Sequence, residues 1–213
     1  CHCQSSTTIA GRHRCRTVGN LRNSPGWQAR VDHSAAHEAA PAHRLSTRAG
    51  RNGERSVTYG TVTNFDDHAT VRFERSIGAT IDRLWHAISS GDELSRWLAA
   101  ASLAGEVGGR VRIDSDEDQV VVGKITRYEP PHVLECTWGF TGEHDSVLRF
   151  ELAEKGNATR FVLEHRLLPP DQAVGYGAGW HAYLDRLTAQ ATGADPVDWE
   201  ARFSEVLGTY AGA

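Results

Sequence analysis

With 213 residues, 39% of them hydrophobic and 23% charged, the chain has an ordinary globular composition with room for a packed core. No run of 18 or more apolar residues occurs, which argues against a membrane-spanning helix, and the first residues lack the apolar stretch of a secretory signal, so the cytoplasm is the expected location. The net charge of −4 divides unevenly: residues 1–60 hold nine basic and three acidic side chains (+6), the rest 14 basic and 24 acidic (−10), and so acidic a part is a poor grip for phosphate backbones.

Residues 1–60 are rich in Arg, His, Ala, Ser and Gly, and Ile9, Val18, Leu21, Trp27, Val31 and Leu45 are too dispersed to repay the entropy of ordering. The expectation is a disordered basic tail. The chain begins with Cys and contains no methionine, which suggests an over-extended gene start with initiation at Val57 or Val62. Cys1, His2, Cys3, His13 and Cys15 are soft ligands, but a C-x-C at the terminus has neither the spacing nor the scaffold of a zinc site. Cys136 is the only other cysteine, so no disulfide framework follows, and no metal or cofactor is expected.

From residue 69 the pattern becomes regular. In ATVRFERSI, Val71, Phe73 and Arg75 alternate with Arg72, Glu74 and Ser76, which predicts a strand. Ile81, Leu84, Trp85 and Ile88 recur at helical spacing behind Thr80 as cap. Ser90 and Glu93 read as a capping box for a second short helix carrying Leu94, Trp97 and Leu98. Strands are then predicted over 107–113, 120–128, 132–140, 146–152 and 159–167, joined by DSDED, EPPH, TGEHD and EKGNA. Connections this short imply antiparallel pairing.

Pro169-Pro170 ends the sheet, and the glycine-rich AVGYGAGWH reads as a linker that lends mobility to a cavity entrance. Trp180, Tyr183, Leu184, Leu187 and Ala191 form one stripe of a longer helix ending near Gly193. A last helix with Trp199, Phe203, Val206 and Leu207 is expected to start at Asp195-Pro196.

The segments VRFERSIGATIDRLWHAISSGDELSRWL, GKITRYEPPHVLECTW, SVLRFEL, TRFVLEHRLLP and GWHAYLDRL, in that order, resemble the SRPBCC (START-like, Bet v 1-like) superfamily. The resemblance runs over about residues 68–192 and is nearest to the branch of the C-terminal domain of the activator of Hsp90 ATPase. It implies an α+β helix-grip fold: a curved antiparallel sheet of six or seven strands around a long C-terminal helix, with two short helices after the first strand. The domain is expected over residues 65–193, with 194–213 as an additional C-terminal helix. It also implies a cavity for a small hydrophobic or amphipathic ligand; the acidic charge balance and the absence of a long apolar run argue against nucleic acid and membrane partners, and a protein partner or homodimer is a further option.

The residues expected to line that cavity are Trp97, Leu134, Cys136, Trp138, Phe150, Phe161, Leu163, His165, Trp180, Tyr183 and Leu184. His165 alternates with Phe161 and Leu163 and so faces inward. It reads as a core histidine tied to a carbonyl rather than a general base, because no nucleophile is evidently paired with it. His181 and Asp185 share a helix face and read as a solvated pair, and Glu135 as exposed. Cys136 lacks the cationic setting of a nucleophilic thiol. Asp114, Asp116 and Asp118 alternate like a calcium loop, but Gln119 and Ile125 stand where that loop needs glycine and glutamate. The expected function is therefore a ligand binder with no catalysis assumed. The alternatives are a cyclase- or hydrolase-type enzyme using His165, and a chaperone-associated protein.

Overall fold

The computed structural model describes residues 58–116 and 119–212, and the expectations placed on residues 1–57 lie outside that range. In chain order the elements are β1 (Thr61–Asn64), β2 (Ala69–Ile77), α1 (Ile81–Ser89), α2 (Gly91–Trp97), β3 (Ala100–Leu103), β4 (Arg110–Asp116) and β5 (Gln119–Glu129). There follow β6 (Val133–Phe140), β7 (Ser146–Lys155), β8 (Ala158–Leu168), a 3-10 turn at Pro170–Gln172, α3 (Ala173–Thr192) and α4 (Trp199–Ala211). All strands pair antiparallel in one sheet of order β1-β2-β8-β7-β6-β5-β4-β3.

The helix-grip architecture follows from side-chain alternation. Val71 and Phe73, Leu134, Cys136 and Trp138, Leu148 and Phe150, and Phe161, Leu163 and His165 all point to one face and are buried there. That face must be covered, and α1, α2 and α3 cover it, joining one core with the sheet. Register shifts at Ala69/Val71, Asp114/Asp116 and Ile125/Arg127 bend the strands that curve around α3. Among the described residues no helix is long and apolar enough to cross a membrane.

The convex face is an ion-pair lattice. Glu74 of β2 bridges Arg72 and Arg160, and Glu135 of β6 bridges Arg149 and Arg166. Glu151 pairs with Arg149, and Glu164 with Arg166. Glu135 is therefore not the exposed group expected from the strand pattern, because two arginines cover it and leave its side chain 17% accessible.

Several local expectations change. The described residues hold eight strands rather than six or seven, because β1 and β3 are four-residue edge strands too short to show a hydrophobic alternation. The strand expected from Val107 begins at Arg110, and Val107 is exposed in the turn. Thr80 caps α1, its hydroxyl accepting from the Arg83 N–H at 3.2 Å. Ser90 makes no side-chain cap on α2, however, and Glu93 turns instead to Arg83 at 2.6 Å and Gln190 at 2.9 Å. An ion pair with a guanidinium outcompetes one backbone N–H for that carboxylate.

The largest correction concerns the glycine-rich segment, which is not a linker but the first half of α3. At Gly177 an added Cβ would meet Tyr210 at 2.9 Å and Val62 at 3.1 Å, so the missing side chain is what lets α4 and β1 lie against α3. α3 ends at Gly193 in the left-handed conformation (φ 71°), as its position predicts. α4 starts after Asp198, whose carboxylate accepts from the Ala201 N–H at 2.7 Å, three residues beyond the expected Asp195 start.

Candidate functional site

α3 is sandwiched between the sheet and the β1–α4 layer, so consecutive residues serve different neighbours. Trp180 points to the sheet, where its indole N–H donates to His165 Nδ1 at 3.0 Å. An indole nitrogen only donates, so Nδ1 carries the lone pair and Nε2 the proton. That Nε2–H donates to the Ser146 hydroxyl at 2.9 Å, and Ser146 passes its own proton to the Trp138 carbonyl at 3.1 Å. The result is a one-way chain from α3 through β8 and β7 to β6, with Ser146 and His165 fully buried.

This chain decides what His165 can do. Burial lowers its pKa to about 3, so it is neutral throughout the physiological range. A Ser–His nucleophile requires the imidazole to accept from the hydroxyl; here it donates, and its one lone pair is held by Trp180. Sequence reading found no nucleophile for His165, yet Ser146 lies beside it from the neighbouring strand with the hydrogen bond in the non-catalytic direction. Cys136 is equally unsuited to attack: burial, with the Glu135 charge adding to it, pushes its thiol up to about 12.

Between the sheet and the first half of α3 lies a gap of about 20 Å³, room for a water molecule rather than a ligand. Leu98, Ile113, Ser115, Trp138, Phe140, Tyr176, Gly179, Trp180 and Tyr183 line it. Of the residues expected at a cavity, Trp138, Trp180 and Tyr183 are brought together here. Trp97, Leu134, Cys136, Phe150, Phe161, Leu163 and Leu184 are buried in the core around it, and His165 lies beneath Trp180. The space is small because the aromatic rings interlock: Trp138 and Trp180 meet edge to face at 5.5 Å, and His165 and Tyr176 at 4.9 Å. Tyr176, missed because its segment read as a linker, donates its hydroxyl to Glu143 at 2.7 Å. The Trp138 indole N–H is buried at this gap without an acceptor in hydrogen-bonding geometry, although it lies near enough to the Tyr176 hydroxyl to lower its pKa slightly.

On the opposite side of α3 the chemistry is ionic. Asp185 binds Arg75 Nη1 at 2.5 Å and Arg202 Nε at 2.6 Å. Arg202 also donates to His181 Nε2 at 3.0 Å, which leaves the His181 proton on Nδ1, facing the Tyr210 hydroxyl at 2.9 Å. Tyr210 in turn accepts from the Gly60 N–H at 2.9 Å. His181 is thus fully buried, not solvated, and burial, with the Arg75 charge adding to it, lowers its pKa to about 4. Burial alone pushes the Asp185 carboxyl upward, but the guanidiniums of Arg75 and Arg202 outweigh it and hold the group below the usual carboxylate range. Among the described residues no group of three His, Cys, Asp or Glu side chains is arranged to hold a metal.

A family model described as activator of Hsp90 ATPase homolog 1-like protein matches residues 78–191. No curated protein matches the chain significantly. Among solved structures, CalU16 from Micromonospora echinospora superposes with a TM-score of 0.62 at 23% identity, over 73% of this chain and 96% of that one. A solution structure from Bordetella parapertussis gives 0.55 at 26% identity over 78% and 94%. The Aha1 dimer from Colwellia psychrerythraea gives 0.51 at 19% identity over 57% and 95%.

Proposed function

The chain belongs to the activator of Hsp90 ATPase homolog 1-like family of SRPBCC proteins, and from that premise we propose that it binds a small, largely apolar molecule between the sheet and α3 without transforming it. The observation that carries this reading is the Trp138 N–H, a buried donor at this apolar gap with only the poorly aligned Tyr176 hydroxyl within reach, beside a His165 chain that is satisfied. A ligand oxygen meeting that N–H would recover the penalty of leaving it unpaired, on the order of 1–3 kcal/mol. The aromatic rings around it would then hold the apolar body.

Binding requires the gap to widen. The first half of α3 is the element suited to yield, because Gly175, Gly177 and Gly179 each cost a helix about 1 kcal/mol relative to alanine. Gln172, which precedes the helix, supplies no side-chain cap. That stretch is helical because of what it packs against, so a ligand that replaces those contacts can displace it.

The full chain titrated with the neutral fluorophore N-phenyl-1-naphthylamine tests the proposal, with native mass spectrometry of the gently purified protein in parallel. Saturable one-to-one binding is expected, weakened about tenfold or more by Ser115→Trp, which places an indole across the mouth of the gap. Absence of saturable binding, or binding indifferent to Ser115→Trp, sinks it.

A further inference from the structure

On the far side of α3, away from the aromatic gap, a cleft of about 410 Å³ opens between the end of β2, the second half of α3, the connection 194–197 and α4. Its volume lies within the range of small-molecule sites. One wall carries the ionic cluster, in which two guanidiniums, Arg75 and Arg202, share the Asp185 carboxylate. Arg75 is nine-tenths buried, and its Nε–H has no hydrogen-bond partner although the atom is inaccessible to solvent. The remaining wall is mixed, with apolar Ile77, Ala189 and Val197 interleaved with Ser76, Thr188 and Thr192, and the carboxylate of Asp195 lies on it as well. The hydroxyls of both threonines donate back to the helix, to the carbonyls of Leu184 and Thr188, which leaves their oxygens as acceptors.

From this arrangement we infer that the cleft is a second ligand site, one for a small organic carboxylate whose oxygen meets the Arg75 Nε–H once the Arg75 side chain turns to present that covered edge to the cleft. Its apolar body lies along Ile77, Ala189 and Val197. A buried cationic donor without an acceptor is the costliest kind of unmet group in a protein wall, and a carboxylate is the acceptor that best matches a guanidinium edge. Arg75 sits on the inward-facing side of a strand, where a charge is retained only with partners, and Asp185 occupies Nη1 without reaching Nε. The site is independent of the aromatic gap, since the two share no lining residue.

The test uses the full chain with 4-phenylbutyrate and its neutral amide, 4-phenylbutyramide, followed by backbone amide NMR shifts. The acid is expected to shift Ser76, Thr188, Thr192 and Val197 saturably and to bind about tenfold tighter than the amide. Arg75→Lys keeps a cation for Asp185 but removes the Nε donor, and it should erase the preference for the acid. Thr192→Trp, a change at an exposed position on the rim, should block both probes without touching the ion cluster. Ser115→Trp at the aromatic gap should change neither, so failure here is distinguishable from failure of the apolar site. The inference is overturned by any of four outcomes: no saturable shift at these positions up to about 10 mM, a Kd range far weaker than a built site gives; equal affinity for acid and amide; a preference that survives Arg75→Lys; or shifts confined to Phe140, Tyr176 and Tyr183.

Discussion

Trp180 and His181 are neighbours on α3, yet they look into two unlike regions. The Trp180 side is closed and largely apolar, and a neutral, directional hydrogen-bond chain runs there from Trp180 through His165 and Ser146 to the Trp138 carbonyl. The His181 side is partly open, holds a carboxylate between two guanidiniums, and borders a cleft about twenty times larger. One helix can serve both because a buried polar group is tolerated wherever its partners are complete, whether these are neutral or charged. The difference teaches where to look for binding: at an unmet donor that borders an opening on each side, Trp138 Nε1 at the gap and Arg75 Nε beside the cleft.

The sharpest way to break the comparison is Asp185→Asn. It strands two largely buried guanidiniums without their shared carboxylate, and a loss of about 3–5 kcal/mol in urea unfolding is expected. A smaller loss would mean that solvent reaches this side more freely than its geometry implies.

Acid probes both sides at once. His165 and His181 have folded pKa values of about 3 and about 4, below the ordinary 6.5, so the unfolded chain binds their protons first as pH falls. Their contribution is complete above pH 6.5 and is lost progressively below it, down to the folded values. Each histidine costs about 1.4 kcal/mol per pH unit in that window, or roughly 4 kcal/mol for the pair at pH 5. Chemical denaturation at pH 7 and pH 5 checks the total, and His181→Gln should halve the slope.

Trp180→Phe targets the neutral side alone. It removes the donor to His165 Nδ1, leaves that lone pair buried and unmet, and should cost about 1–3 kcal/mol. The imidazole pKa should rise at the same time, readable by NMR, whereas a merely structural role for Trp180 would leave it unmoved.

The smallest effects separate two glycines of one helix turn. Gly177→Ala drives a methyl into Tyr210 and Val62, and should destabilise by about 1–3 kcal/mol despite alanine's better helix propensity. Gly179→Ala meets nothing nearer than Trp199 at 3.9 Å and should stabilise by about 0.5–1 kcal/mol. Thermal melts of the two variants moving in opposite directions would confirm that only one of them is a packing glycine.

Much of this was legible in the chain. Period-two alternation located β2 and β5 to β8 and the inward face of each, because every second side chain there is large and apolar. Helix identity failed at 173–179, where glycines that look like a linker are demanded by partners 33 residues later in the chain (Tyr210 for Gly177), a long-range fact that no local propensity carries. The same limit hid Ser146, whose relation to His165 exists only through β7–β8 register. The outer cleft did leave a sign. Arg75 falls on the same strand face as Val71 and Phe73, and a charge on a core-facing position announces a buried partner, here Asp185 and, through it, Arg202.

The convex lattice has a consequence for encounters at a distance. Its four arginines (Arg72, Arg149, Arg160, Arg166) are matched by four glutamates (Glu74, Glu135, Glu151, Glu164), so these eight side chains together carry no net charge. Beyond about 8 Å in physiological salt its alternating signs cancel, and a diffusing partner feels no pull or push from that direction. The acidic surplus of residues 61–213 lies outside this lattice, so long-range steering of a charged partner belongs to other surfaces of the molecule.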